Sequence, residues 1–220
     1  ALLAMFSALL LIFLVHTLKA KVNDLKTVES NSRIPVALLT PRHQQPQAIQ
    51  KTFNDTAIQL ELKGLMHPHE VLCFSSYTER EGAKFNVLNL AAALARQGRK
   101  VMVVVADEQL VGCPDLNGAA YESLLLNDHS FTRYTKAMMR EVLDELKESY
   151  EVVLILNEPL HHSSKSNLFM SLADLNLIVV DARLTPVKRI LETEILKGEY
   201  KIPQVFFLIN RYGYNPTVFA

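Results

Sequence analysis

The chain has 220 residues, 49% hydrophobic and 21% charged, with 23 Lys+Arg balanced by 23 Asp+Glu. That length holds one sizeable domain plus something extra, and a formal net charge of zero gives nucleic-acid binding no compositional support. Two distant cysteines, Cys73 and Cys113, argue against a disulfide framework and fit a reducing compartment.

The first residues set the class. ALLAMFSALLLIFLVHTLKAK runs apolar from Ala1 to Val15, broken only by Ser7, and then meets Lys19 and Lys21. A full span needs about 20 apolar residues. This run is shorter but begins inside hydrophobic sequence, so residues 1–21 are expected to be the remainder of a transmembrane helix truncated at its N-terminal end. The alternative is a buried core helix. A signal peptide would carry its positive charge before the apolar run rather than after it, and the basic flank puts the chain from about residue 19 onward on the cytoplasmic face. There the Asn54-Asp55-Thr56 glycosylation sequon has no meaning.

Residues 22–62 are polar and irregular, with a strand candidate at Val36–Leu39 between Pro35 and Pro41. A weak helical pattern covers Gln47–Leu62, with Ile49, Phe53, Ile58 and Leu60 apolar. The expectation is a juxtamembrane linker with a docking helix, followed by a domain over 63–220.

From residue 70 the pattern becomes regular. EVLCFSS is a short apolar run of the kind a buried parallel strand makes. Val87, Leu90, Ala91 and Leu94 then mark an amphipathic helix closed by Gly98. KVMVVVAD is a second strand, FTRYTKAMMREVLDELKESY a helix with Arg140 and Asp144 at i, i+4, and EVVLILNEP a third strand. ADLNLIVVDA gives a fourth strand, PVKRILETEILKG a helix and QVFFLINR a fifth strand. Strands alternating with helices predict an α/β fold, a doubly wound, mostly parallel sheet.

The turn between first strand and helix, SSYTEREGAKFN, resembles a phosphate-binding loop in outline. Such a loop wraps backbone N–H groups round phosphates at a helix N-terminus, and in G-x-x-x-x-G-K-[ST] the Lys reaches the β/γ oxygens while the Ser/Thr hydroxyl ligates Mg²⁺. With Gly82 as the second glycine, Tyr77 stands where the first belongs, Ala83 where the Lys belongs and Lys84 where the hydroxyl belongs. Sliding the register to make Lys84 the active Lys puts Phe85 at the metal position. Neither register supplies the hydroxyl.

These pieces, taken in order, resemble the cytoplasmic domain of bacterial tyrosine kinases (BY-kinases) fused to polysaccharide co-polymerases, which have a Mrp/MinD-like P-loop domain. RIPVALLTP stands where that family has a linker segment. VLCFSSYTEREGAKFNVLNLAAALARQGRKVMVVVAD runs parallel to its Walker A to Walker A′ stretch, and Asn89-Leu90-Ala91 fixes Ala83 as the Lys position. YEVVLILNEP matches the Walker B strand, Ala173-Asp174 and Thr185 sit where "aD…T" is expected, and FFLINR resembles "gvVlNr".

Carried over position by position, the Walker A Lys is Ala83, its Ser/Thr is Lys84, the first Walker A′ Asp is Val105 with only Asp107 surviving, and the Walker B Asp is Leu156. Each such loss costs roughly 10²–10³ in rate, and phosphoryl transfer depends on charge neutralisation around the phosphates. The resemblance with these departures implies no catalytic residue, no cofactor and no metal. It leaves a vestigial pocket of Ser76, Gly82, Ala83, Lys84, Val105, Asp107 and Leu156. The family's Arg-bearing ring-assembly helix has no counterpart in QKTFNDTAIQLEL, and only Tyr212 and Tyr214 stand where it has a tyrosine cluster.

The resemblance implies a catalytically inactive, inner-membrane polysaccharide co-polymerase. Such a protein works as a homo-oligomeric scaffold beside a polymerase and an outer-membrane export channel, alone or with an active kinase partner. One alternative is a nucleotide-binding kinase or ATPase using Lys84 in the shifted register, where Lys84 could still hold an anion at the helix N-terminus. Another is a MinD-like membrane regulatory module. His67 and His69, near Cys73, read more simply as a surface pair than as metal ligands, and His161-His162 as a solvated strand-to-helix loop. Asp107 reads as a cap or loop hydrogen-bonder.

Overall fold

The computed structural model describes residues 20–42, 45–106, 122–125, 135–160 and 165–213, together with Phe6. In chain order the helices are α1 (Leu25–Asn31), α2 (Pro46–Leu62), α3 (Ala83–Arg96), α4 (Lys136–Ser149), α5 (Lys165–Leu172) and α6 (Lys188–Glu199). The strands are β1 (Val36–Pro41), β2 (Glu70–Ser76), β3 (Val101–Val105), β4 (Glu122–Leu125), β5 (Val152–Leu156), β6 (Leu175–Asp181) and β7 (Val205–Tyr212). They form one seven-stranded sheet in the order β1-β7-β6-β2-β5-β3-β4, with every neighbouring pair parallel.

The continuous apolar runs have a direct cause: both faces of the sheet are covered. Alternate residues of each strand feed two cores. Val71, Cys73, Val153, Ile155, Ile178 and Val180 face α4, α5 and α6, which add Met139, Leu143, Phe169, Met170 and Ile190. Leu72, Phe74, Val103, Leu154, Leu177 and Val179 face α2 and α3, which add Phe53, Ala57, Leu60, Val87, Leu90 and Leu94. The expected α/β doubly wound architecture is borne out, with seven strands described where five and an outlying candidate were anticipated.

Residues 22–62 differ from the expected linker. The anticipated strand runs on to Pro41 and pairs in parallel with β7, forming one edge of the sheet. A register shift between Val36 and Leu38 lets Ala37 and Leu38 both enter the α2–α3 core. The anticipated helix starts at Pro46, at its first turn, and buries Phe53, Thr56, Ala57 and Leu60. These side chains are core, so β1 and α2 belong to the same packed unit as the described residues of the sheet that follows. α1 was not anticipated; Asp24 caps it by accepting the Thr27 N–H at 2.8 Å.

The chain enters this unit along a short strap. Lys21 forms an antiparallel bridge to Pro186; the Val22 N–H donates to the Thr185 carbonyl and the Val187 N–H to the Ala20 carbonyl, both at 2.9 Å. Apart from Phe6, residues 1–19 and the transmembrane helix expected there lie outside the described residues, as do Cys113, His161 and His162. No helix among the described residues is long and apolar enough to cross a membrane.

Candidate functional site

The site lies at the carboxyl ends of the strands, where open α/β sheets place their ligands. β2 ends at Ser76, whose hydroxyl donates to the Thr78 carbonyl at 2.9 Å. Glu79–Glu81 then form one 3₁₀ turn, Gly82 takes φ +98°, and α3 begins at Ala83. Strand, turn and helix follow one another as the sequence predicts. What fills the turn does not.

Three positions where the resemblance looks for charge are buried among apolar side chains. Ala83, Val105 and Leu156 all belong to the α2–α3 core, and Val105 and Leu156 are register partners across β3 and β5. Leu156 also pairs with Phe74 of β2. A lysine or carboxylate in such surroundings would be expensive unless paired, and these three positions carry none. Lys84, one residue on, is half-buried. Phe85, the metal position of the shifted register, packs edge-on against Phe53 with ring centroids 5.6 Å apart. Asp107 and Tyr214 lie outside the described residues, and Tyr212 sits part-exposed at the end of β7.

The loop's own glutamate takes the place an anion would need. The Glu81 carboxylate accepts the backbone N–H groups of Tyr77 at 2.6 Å and Thr78 at 2.9 Å. It also accepts the Thr185 hydroxyl at 2.5 Å. Thr78 and Glu81 form a reciprocal capping box on the 3₁₀ turn. Burial pushes the Glu81 carboxyl above its ordinary value, outweighing the hydrogen bonds from Thr185, Thr78 and Tyr77, and the nearby Asp181 charge adds to the rise.

Tyr77, at the first-glycine position, swings under α6. Its hydroxyl lies 2.8 Å from the Thr193 Oγ1, and the Arg189 guanidinium sits 4.9 Å from its ring centroid. On the other side Asn210 of β7 donates to the Glu81 carbonyl at 2.8 Å. Asn86 donates to the Gly82 carbonyl and accepts the Thr40 hydroxyl at 3.0 Å, which ties α3 to β1.

A second buried carboxylate, Asp181 at the end of β6, accepts the Arg211 guanidinium at 2.7 Å and the Arg183 N–H at 2.8 Å. Its carboxyl is also raised by burial, against the pull of Arg183. Asp174, matched from sequence, is structural: it accepts the Val71 N–H at 2.8 Å and pairs with Lys147. The Arg140–Asp144 pair is not among the ion pairs of the described residues. His69 bonds the Lys147 carbonyl at 2.6 Å, and no metal-binding cluster of His, Cys, Asp and Glu occurs among the described residues.

Thus the structure gathers Ser76, Gly82, Ala83, Lys84, Val105 and Leu156 at one end of the sheet. Of the residues that hold the loop, Tyr77, Thr185 and Asn210 fall on positions the resemblance matches, though not as anchors of this loop, while Thr78 and Glu81 have no place in the motif. Thr78-Glu79-Arg80-Glu81 does spell the T-x-x-E capping-box pattern, and that signal was legible.

Known structures share this fold. The kinase domain of Escherichia coli tyrosine kinase ETK matches with a TM-score of 0.69 at 16% identity, over 88% of this chain and 96% of that one. The BceF tyrosine kinase domain gives 0.67 at 13% identity, over 87% and 99%. The cell division ATPase MinD of Pyrococcus furiosus gives 0.52 at 16% identity, over 67% and 74%. No protein-family model and no curated protein sequence matches the chain. The fold is that of the bacterial tyrosine kinase domains, of the MinD-like P-loop type; at these identities the likeness is one of fold.

Proposed function

We propose that this chain is a catalytically inactive member of the kinase fold, working as a membrane-anchored, oligomeric scaffold in polysaccharide assembly and export. The observation that carries the inactive reading is the joint burial of Ala83, Val105 and Leu156 in one apolar core, beside a loop whose N–H groups are taken by Glu81. Phosphoryl transfer is almost entirely positioning and neutralisation of charge. In this loop the charge nearest the backbone donors is negative and would repel a phosphate.

Support for the polysaccharide setting comes from the sequence resemblance: an apolar run with a basic flank, then the ordered matches from RIPVALLTP to FFLINR. In that setting the chain would sit in the inner membrane, assemble with copies of itself, and meet a polymerase and an outer-membrane channel, with or without an active kinase partner. A kinase of this type cycles its assembly through phosphorylation; this chain would hold one assembly state.

The test is the melting temperature of the full chain in detergent with and without millimolar Mg·ATP and Mg·ADP. A ligand at 100 times its Kd stabilises by about 2.7 kcal/mol, a shift of several degrees for a domain of this size. No shift is expected. A magnesium-dependent shift would overturn the inactive reading in favour of a working loop through Lys84. Loss of polymer output on deleting the gene, restored by the wild-type chain, tests the setting separately.

A further inference from the structure

We propose that Thr185 couples the entering strap, Ala20–Val22, to the loop at Tyr77–Gly82, so that strap and loop tighten or loosen together. This goes beyond the scaffold reading and does not depend on residues 1–19 spanning a membrane. The coupling is an unbroken run of hydrogen bonds. The Val22 N–H donates to the Thr185 carbonyl and the Val187 N–H to the Ala20 carbonyl, so the strap holds the 185–187 segment at both its ends. Val22 itself is fully buried in the core beneath α6.

The Thr185 side chain carries the link onward. Its hydroxyl accepts the Asp181 N–H at 2.8 Å and donates to the Glu81 carboxylate at 2.5 Å. That carboxylate in turn holds the Tyr77 and Thr78 N–H groups. A parallel route runs from the same turn through β7: the Ala182 N–H donates to the Asn210 carbonyl, and the Asn210 amide donates to the Glu81 carbonyl. The turn is stiffened by Asp181, clamped by Arg211 and the Arg183 N–H. Thr185, Asp181 and Asn210 are all buried, so losing one link strands a polar group away from water instead of handing it to solvent.

Two consequences follow from the topology. A displacement of the chain upstream of Val22 is felt first at Thr185, ahead of the rest of the sheet. A change at the loop is felt at the strap by the same route, because coupling between sites is reciprocal. The strap thereby ties whatever precedes residue 20 to the loop whose Tyr77 and Thr78 N–H groups are held by Glu81.

Hydrogen exchange on the full chain tests this with two kinds of variant. Val22→Asp expels the strap without touching the loop; amides of Tyr77 and Thr78 are expected to exchange at least about tenfold faster, while β2 and β5 keep their protection. Unchanged exchange at Tyr77 and Thr78, with acceleration confined to residues 20–22 and 185–187, overturns the coupling. Thr185→Val and Thr185→Ser approach it from the loop side and leave the backbone acceptor of Val22 in place. The valine is expected to speed exchange at the Val22 amide about tenfold and the serine to leave it near wild type. Equal exchange at Val22 in the two variants overturns the proposal even if Val22→Asp fails to fold.

Discussion

Gly82 and Asn210 stand so close that a Cβ on the glycine would lie 2.2 Å from the Asn210 Nδ2. That amide nitrogen is buried and bonded to the Glu81 carbonyl, so it is not free to move aside. Gly82 also sits at φ +98°, a conformation that L side chains resist. The glycine that once looked like a phosphate-loop signature is therefore required by the chain's own packing.

Gly82→Ala is expected to cost about 2–4 kcal/mol in unfolding free energy, from backbone strain plus the clash. Adding Asn210→Ala to it should recover part of the loss, so the two changes will not be additive. Denaturant titrations of the single and double variants measure this. Strict additivity would mean that the contact carries no strain.

Tyr77→Gly restores the motif glycine and should make the protein worse. The ring lies buried under α6 with its hydroxyl at Thr193, so its removal is expected to cost about 3–5 kcal/mol. Tyr77→Phe keeps the packing and loses one buried hydrogen bond, for about 1 kcal/mol. Thermal melts rank the pair, and a Tyr77→Gly variant as stable as wild type would refute the anchoring role.

Acid should favour what Glu81 contributes. Burial raises its folded pKa above the ordinary 4.5, so the folded state binds the proton more tightly than the unfolded chain does. Its contribution is complete below the unfolded pKa and is lost as pH rises through the folded value. Comparing melting temperature against pH for wild type and Glu81→Gln isolates the group. The difference, wild type minus variant, is expected to move in favour of wild type as pH falls from neutral towards 4.5; movement the other way would show that the hydrogen bonds outweigh burial.

Restoring the missing side chains is not expected to restore the site. Ala83→Lys, Lys84→Thr and Leu156→Asp together should give no Mg·ATP-dependent melt shift while Glu81 keeps the Tyr77 and Thr78 N–H groups. Leu156→Asp should by itself cost about 3 kcal/mol, as a carboxylate placed in an apolar core. A nucleotide-dependent shift in the triple variant with Glu81 intact would show that the glutamate does not block the loop.

The central strands were legible because a sheet covered on both faces demands unbroken apolar runs, and EVLCFSS, KVMVVVAD and LNLIVVDA supply them. β1 can be read as a strand but not placed: the five residues between Pro35 and Pro41 give no sign that they pair with β7, whose sequence lies about 170 residues further on. β4 and α5 were missed for want of length, and in α5 the buried Phe169 and Met170 are adjacent instead of a turn apart. At the site, the missing lysine, hydroxyl and carboxylates could be read directly. The Thr185 and Asn210 contacts to Glu81 span 104 and 129 residues, and no local pattern announces them.

The place of β1 at the sheet's edge bears on how this protein can be handled in solution. A fragment cut at residue 63, or even at Gln47, removes β1 and uncovers the whole hydrogen-bonding side of β7. Its sequence, VFFLINRY, is apolar, rich in β-formers and without proline. Bared edges of that kind recruit other chains. Such a fragment would be expected to precipitate or self-pair, and its multimers would report a severed sheet. A fragment beginning at Ala20 keeps β1, α1 and the strap, and is the one whose association state would carry meaning.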